Sequence, residues 1–462
     1  MAERILPILR DMRRARRGGP EAVQRRQRAR LTAMVRHARA RSPYYRELYR
    51  DLPAHVADVG LLPVTTKREL MARFDDWVTD PAVTLDAARA FIDDPSRVGD
   101  LLLGRYRVGT SSGSTGVRGI FLFDDRSTAV TSAMALRAFG RWLSWTDLAR
   151  VVAGGARVAS LLATGGHFGS STVLPRRSDG RRVGAGRLRV FSVFDPMPEL
   201  VAELNRFRPN ILIGYAGLIA MLAGEQEAGR LRISPTLVML GAEGLPESGY
   251  QRVATAMRAR IGNGYGACEF MSTAASCAVG WLHVNSDWVI VEPVDREYRP
   301  VPAGVPSHTV LITNLANQVQ PVLRYDLGDS LLARPDPCPC GDPFPAIRAT
   351  GRASDALTFQ DDRGRPVQVA PVALAGIVDR APGLELAQVV QTAPTALQVR
   401  VRSAPHADPE RVWQTIRAEI GAFLANHGLT HIAVSRSAEP PMQSAGGKYK
   451  LIIPLASSTA PR

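Results

Sequence analysis

Cysteine is scarce, with four in a chain of 462 residues. So few thiols do not make a disulfide scaffold. Aromatic residues are also sparse, at 6%. No helix-turn-helix, finger or aromatic RNA-binding signature is present, so nucleic acid is not an expected partner. Long apolar runs are missing too. The longest, around Ile211 to Ala223, is too short to span a membrane. The first residues are charged and lack a continuous apolar core, so no signal peptide is expected. Together these absences fit a globular protein of the reducing cytoplasm. Acid is short relative to base: 43 Asp and Glu against 58 Lys and Arg leave a net charge of +15.

Part of that surplus is local. Residues 13 to 41 hold eleven arginines and one acid, Glu21. Val23, Leu31, Met34 and Val35 recur at helical spacing there, which predicts a basic helix packed by its apolar side. Its other face would attract anions, and an acidic carrier protein is the partner that such a field suits.

A chain of this length exceeds one small core. Ser42 and Thr66 each precede an apolar helical pattern and read as helix caps. From about residue 150 the grammar alternates. "RVASLLATGG", "RLRVFSVF", "NILIGY" and "TLVMLGAE" read as strands, the last three each followed by an amphipathic helix. That order implies parallel strands flanked by helices. Near residue 281 long helices vanish, and "WLHVNSDWVIVEPV" and "TVLITNL" predict an antiparallel sheet or small barrel. After residue 353 a hairpin across "DDRGRP", two strands and a helix opened by Asp408 and Pro409 form a separate pattern. The expected fold class is α/β. A large domain, residues 1–353, has mostly parallel sheets plus an antiparallel sub-barrel. A small, mobile α+β domain, residues 354–462, follows.

The stretch "VGTSSGSTGVRGIFLF" is built to hold something. Thr110, Ser111, Ser112, Gly113, Ser114, Thr115 and Gly116 are all small, and Arg118 follows. A Walker-type loop needs Gly-Lys-Ser/Thr and a helix, and neither is here. Gly109, Ser111 and Gly113 match the G-x-S-x-G of a serine hydrolase, but that elbow turns into a helix and "IFLF" reads as a strand. A glycine- and hydroxyl-rich loop between two strands fits better. Its backbone N–H groups make an anion nest, to which hydroxyls add donors.

Further along stand "GYGACEF" (264–270), "RYDLGD" (324–329), "GRASD" (351–355) and "SAGGKYK" (444–450). In this order, behind the glycine loop, they resemble the adenylate-forming superfamily of acyl-coenzyme A ligases and adenylation domains. "ARSPYYRELY", "LPVTTKRELM", "FDDWVTDP" and "LHVNSDWVIVEPVD" are similar to its phenylacetate–coenzyme A ligase-like branch. The resemblance runs from about residue 30 to about residue 455. It implies ATP-dependent activation of a small carboxylic acid to an acyl-adenylate with release of pyrophosphate, then transfer to a thiol, coenzyme A first among them. It implies that Thr110 to Gly116 hold the β- and γ-phosphates, that Tyr265 stacks on adenine over Gly266, and that Glu269 holds Mg²⁺. Asp329 and Arg352 would bind ribose. Lys448 would reach the carboxylate and the α-phosphate, where a mobile cation lowers the barrier.

Departures from the family pattern are informative. Arg118 stands where the loop usually ends in lysine, Cys268 where a hydroxyl is usual, and "TFQDDRGRPVQV" replaces the basic, glycine-containing strand that borders a thiol tunnel. The motifs therefore speak more directly to ATP than to coenzyme A. A carrier-protein thiol or an amine is an alternative acceptor, and a silent nucleotide-binding module is the alternative from another class. Glu269, Asp329, Arg352 and Lys448 occurring together argue against the silent module. Candidates for the acyl pocket, at the ends of predicted strands, are His167, Phe168, Tyr215, Ala216, Gly241 and Ala242. Lastly, Cys277 and His283, with Cys338 and Cys340 in a Cys-Pro-Cys-Gly knuckle, make a Cys₃His set suited to structural zinc.

Overall fold

The structure is a computed structural model. It describes residues 5–111, 119–162, 167, 187–193, 195, 197–241, 244–245, 247–352, 357–369, 374, 378, 381–442 and 451–455. By compactness the chain divides into two units. One comprises 1–242, 252–327 and 331–349; the other comprises 243–251, 328–330 and 350–462.

The first unit opens with a helical hairpin, α1 (Ile5–Arg17) and α2 (Gly19–Arg41). Val23, Leu31, Met34 and Val35 are buried along α2, as the spacing predicts. Several of its arginines are engaged within the fold. Arg26 and Arg30 both pair with Asp11, at 2.9 and 2.6 Å. Arg30 also lies over the Trp288 ring, 3.5 Å from its centroid. Four short helices follow: α3 (Pro43–Leu48), α4 (Lys67–Ala72), α5 (Phe74–Trp77) and α6 (Leu85–Ile92). Ser42 caps α3 by accepting from the Tyr45 N–H, and Thr66 caps α4 in a reciprocal box with Glu69, so a first-turn N–H of each helix finds a partner.

Strands β1 (Arg107–Thr110) and β2 (Ile120–Phe123) form an antiparallel hairpin. Helices α7 (Asp125–Trp142) and α8 (Trp145–Ala153) lead to the main sheet. There β3 (Val158–Leu162), β4 (Leu188–Ser192), β5 (Ile211–Tyr215), β6 (Leu237–Gly241) and β7 (Arg260–Ala267) run parallel. The helices α9 (Met197–Phe207), α10 (Ala216–Glu227) and α11 (Glu247–Met257) alternate with them. Leu212, Leu237, Val238 and Leu240 are fully buried, consistent with a sheet covered on both faces.

At the end of β7 the direction reverses. A tight hairpin leads into β8 (Phe270–Ser276), which pairs antiparallel with β7 and with β9 (Leu282–Val284). A three-stranded sheet, β10 (Val289–Val294), β11 (Thr309–Asn314) and β12 (Tyr325–Asp326), comes next in the chain. Strands β13 (Asp329–Ala333) and β14 (Ala346–Arg352) then complete a nine-stranded sheet in the order β13-β14-β9-β8-β7-β6-β5-β3-β4. Among the described residues the antiparallel part shows no barrel closure. The β7–β8 hairpin carries the ladder onward at the edge of the parallel sheet, so β8, β9 and β14 extend that sheet instead of closing on themselves.

The second unit holds the hairpin β15 (Leu357–Gln360) and β16 (Pro366–Val369), turned across residues 361–365. It also holds a four-stranded sheet ordered β19 (Ala433–Arg436), β18 (Ala396–Ser403), β17 (Leu384–Ala393), β20 (Ile452–Ile453). Asp408 caps the helix Pro409–Asn426, and Val412, Ile416, Ile420 and Leu424 bury one stripe of it.

Candidate functional site

The glycine-rich stretch lies between strands β1 and β2. Its neck is fixed by Ser111 and Gly119. The Ser111 N–H donates to the Gly119 carbonyl at 3.0 Å, and the Gly119 N–H donates to Ser111 Oγ at 2.9 Å. Ser111 thus follows β1 and pairs with Gly119, which leads into strand β2 and not into the helix that a nucleophile elbow needs. Residues 112–118, Arg118 among them, lie outside the described residues.

Both edges of this hairpin are held. On one side Thr110 donates twice to the His167 carbonyl, from its N–H and its Oγ1, each at 2.8 Å. On the other, the Gln320 side chain acts as a strand partner: it accepts from the Leu122 N–H at 2.8 Å and donates to the Ile120 carbonyl at 3.1 Å. The His167 ring is 2% exposed and packs on Phe91. His167 therefore braces the loop through its backbone and fills core with its ring.

The hairpin between β7 and β8 brings a second motif to the same place. Ala267 pairs with Phe270, so Cys268 and Glu269 form its two-residue tip. The tip needs Gly266, where an added Cβ would sit 2.1 Å from the Met271 carbonyl oxygen. No side chain fits so close to backbone. The Cys268 thiol donates to the Thr110 carbonyl at 3.4 Å, tying the tip to the glycine-loop hairpin across 158 positions of sequence. A hydroxyl is not required for that bond, which accounts for cysteine at this position. The Glu269 backbone carbonyl accepts from Asn314 Nδ2 at 3.0 Å.

Glu269 is 5% exposed, and its Oε1 accepts a hydrogen bond from the Tyr325 hydroxyl at 2.7 Å. Burial, and then the Glu269 carboxylate, push the Tyr325 phenol far above its ordinary range, so it remains a donor. The backbone that presents Tyr325 is constrained. Arg324 stands in the left-handed region at φ 46°, unusual for a residue with a side chain. Its N–H donates to Thr313 Oγ1, while its guanidinium reaches Glu292 and the carbonyls of Gly60 and Leu62. Thr65 grips the same segment from the other side, accepting from the Asp326 N–H and donating to the Arg324 carbonyl. Asp329, four residues beyond Tyr325, is buried at the start of β13.

Tyr265 is half-buried on β7. Tyr215 and Gly241 are register partners at the carboxyl ends of β5 and β6, and Ala216 begins α10 from the same edge. This is where open α/β sheets bind ligands. The positions of Phe168, Ala242 and Lys448 lie outside the described residues, as does the side chain of Arg352.

The four metal-type residues come together. The ligand atoms of Cys277, His283, Cys338 and Cys340 all lie within 4.8 Å of one another. None of these cysteines is in a disulfide.

Sequence reasoning missed the buttresses. Gln320 and Asn314 lie in no quoted motif, and Thr65, inside "LPVTTKRELM", was not singled out there, because each acts through a contact far away in sequence. Tyr325 lay within the "RYDLGD" stretch, but only the fold shows its hydroxyl meeting Glu269.

No family model matches the chain. A phenylacetate–coenzyme A ligase of Thermus thermophilus is 24% identical over 373 residues, covering 77% of this chain and 76% of that protein. Among solved structures, a 2-hydroxyisobutyryl-CoA ligase in the postadenylation state, with 2-HIB-AMP bound, matches with a TM-score of 0.63. The identity is 19%, over 94% of this chain and 89% of that one. An anthranilate CoA ligase in complex with anthranoyl-AMP matches with a TM-score of 0.53 at 17% identity, over 74% of this chain and 64% of the other. The chain has the fold of the adenylate-forming ligases, and in sequence it resembles their phenylacetate–coenzyme A ligase branch.

Proposed function

We propose that this protein is an AMP-forming acid–thiol ligase that joins a small carboxylic acid to coenzyme A. A carboxylate oxygen attacks the α-phosphorus of ATP and the bond to pyrophosphate breaks. The coenzyme A sulfur then attacks the acyl carbon, its proton is lost, and AMP leaves. The observation that supports this reading most is the convergence of three separated motifs. The neck of the glycine loop meets the Cys268–Glu269 tip, and Glu269 meets Tyr325.

The roles follow from chemistry. The loop from Thr110 to Gly116 takes the phosphates with backbone N–H groups and hydroxyls. Tyr265 takes the adenine face, and Asp329, with Arg352, the ribose hydroxyls. Glu269 suits Mg²⁺, a hard cation that prefers oxygen: its carboxylate is buried and has one oxygen already oriented by Tyr325. Bound there, Mg²⁺ would neutralise phosphate charge. Tyr215, Ala216 and Gly241 border the acyl group. Lys448, in the carboxy-terminal unit, serves as the mobile cation of adenylation, with that unit acting as a lid. Four cysteines without a disulfide suit a reducing cytoplasm. No helix among the described residues is long and apolar enough to cross a membrane.

Carboxylate-dependent exchange of labelled pyrophosphate into ATP, run across a panel of acids, tests the reading without knowledge of the acceptor. One acid class should drive exchange, and Lys448→Ala should lower it by about 10²–10³. No exchange with any acid, despite measurable ATP binding, would leave a silent nucleotide-binding module. Coenzyme A, a carrier protein and simple amines offered after adenylation then separate the acceptors.

A further inference from the structure

We infer that Cys277, His283, Cys338 and Cys340 bind one zinc ion that staples the antiparallel edge of the large sheet. The four residues come from two neighbouring segments. Cys277 follows β8 and His283 lies in β9, joined by a turn in which the Cys277 N–H donates to the Trp281 carbonyl at 2.8 Å. Cys338 and Cys340 lie in the loop between β13 and β14, and β14 pairs with β9 so that Ala346 faces His283. The loop turns back at Gly341, at φ 75°, whose N–H donates to the Cys338 carbonyl at 3.0 Å. A left-handed residue at that point lets both thiols of Cys-Pro-Cys face one centre.

The spacing of the ligand atoms selects a metal over the alternatives. Cys277 Sγ and Cys338 Sγ are 3.8 Å apart. A disulfide requires about 2 Å. A zinc tetrahedron with Zn–S bonds of about 2.3 Å has an S···S edge of about 3.8 Å. Cys340 Sγ stands 3.2 Å from His283 Nε2, near the corresponding S···N edge of about 3.5 Å. The histidine is held for the task. Its Nδ1–H donates to the Phe344 carbonyl at 2.8 Å, which leaves the Nε2 lone pair directed at the thiols. Three sulfurs and one imidazole nitrogen in a tetrahedral set favour zinc over magnesium or calcium.

The position and the closed set of four make the ion structural. All four tetrahedral positions come from protein, so no site remains for water or substrate. Glu269 and Cys277 bracket β8, and eight extended residues span about 25 Å. The ion therefore does not reach the nucleotide residues. It secures the knuckle, and through it Asp342, which pairs with Arg141 of α7 at 2.8 Å and Arg16 of α1 at 3.4 Å. One ion thus ties a loop, three strands and two helices.

The test uses the full chain, purified without chelator. Elemental analysis should find about one zinc per chain. An organomercurial should release it as three thiols react, read with a zinc-sensitive dye. Cobalt substitution should give a thiolate-to-cobalt charge-transfer band that Cys340→Ser weakens and Cys268→Ser leaves intact. Cys338→Ser should hold less than about a tenth of the metal and melt earlier, and the cobalt spectrum keeps the assignment testable if that variant fails to fold. Failure to take up zinc after reduction, or a Cys277–Cys338 disulfide in the native protein, would overturn the site. Loss of pyrophosphate exchange on zinc removal with an unchanged melting temperature would overturn its structural role. The metal content, the cobalt spectrum and the disulfide test do not depend on whether the protein adenylates.

Discussion

Replacing Tyr325 with phenylalanine removes one oxygen atom from the centre of the candidate site. Tyr325 is 1% exposed and Glu269 5%. The ring stays and its packing is retained, so the change isolates the 2.7 Å hydrogen bond to Glu269 Oε1. A hydrogen bond to a charged group is worth roughly 1.5–3 kcal/mol. That corresponds to a factor of about 10–150 in any equilibrium that needs the carboxylate held in place. Mg²⁺ capture is such an equilibrium in the proposed function. Tyr325→Phe should therefore raise the Mg²⁺ concentration for half-maximal pyrophosphate exchange by about 10–150-fold, with ATP affinity measured without metal little changed. Tyr298→Phe is the control. Its hydroxyl donates to Asp326, at 3.0 Å and only partly buried, so its loss should leave the Mg²⁺ dependence alone. If Tyr325→Phe merely lowers the melting temperature and keeps wild-type Mg²⁺ dependence, the hydroxyl is a packing detail and Glu269 is not the metal ligand.

Gly266→Ala should disable the hairpin tip, since its Cβ meets the Met271 carbonyl oxygen at 2.1 Å. Overpacking of this kind costs about 1–3 kcal/mol, so ATP titration by calorimetry should show weaker binding and thermal melting should show a lower midpoint; wild-type values for both would refute the close approach. In α1, burial alone would raise the Asp11 carboxyl, but hydrogen bonds and charge from Arg26 and Arg30 outweigh it and hold it below its ordinary 3.8. A depressed acid stabilises the fold above its unfolded pKa and loses that contribution as pH falls through the folded one. Asp11→Asn should then destabilise at neutral pH by less than about 1 kcal/mol, because the pair is partly exposed, and denaturant titrations should show the difference vanish in acid; a gap that widens in acid would reverse the assignment.

The sequence determined by itself what depends on neighbours along the chain. Thr66 with Glu69, and Asp408 with Pro409, mark helix starts because a cap and the N–H groups it satisfies lie within three residues. The strand–helix alternation from β4 to α11 is legible because buried parallel strands and amphipathic helices carry different periods. The loop at residues 110–119 is legible as one between strands because an apolar run follows it without a helix start. The order of motifs pointed to the superfamily for the same reason: each motif is a local requirement of the chemistry.

Tertiary structure decided what depends on residues far apart. Sequence paired Cys277 and His283 with Cys338 and Cys340 only as a count of ligand types. The pairing of β9 with β14 is what brings them within 4.8 Å. An antiparallel patch was legible after residue 281, but not whether it closes. Closure depends on which edge each strand joins, and β8, β9 and β14 join the open edge of the parallel sheet. His167 was legible as a candidate beside two glycines at a strand end, but only the fold shows its carbonyl accepting from Thr110 and its ring packed on Phe91. In each case the deciding partner lies tens to hundreds of positions away, where no local periodicity or capping rule reaches, and burial in a shared core selects it.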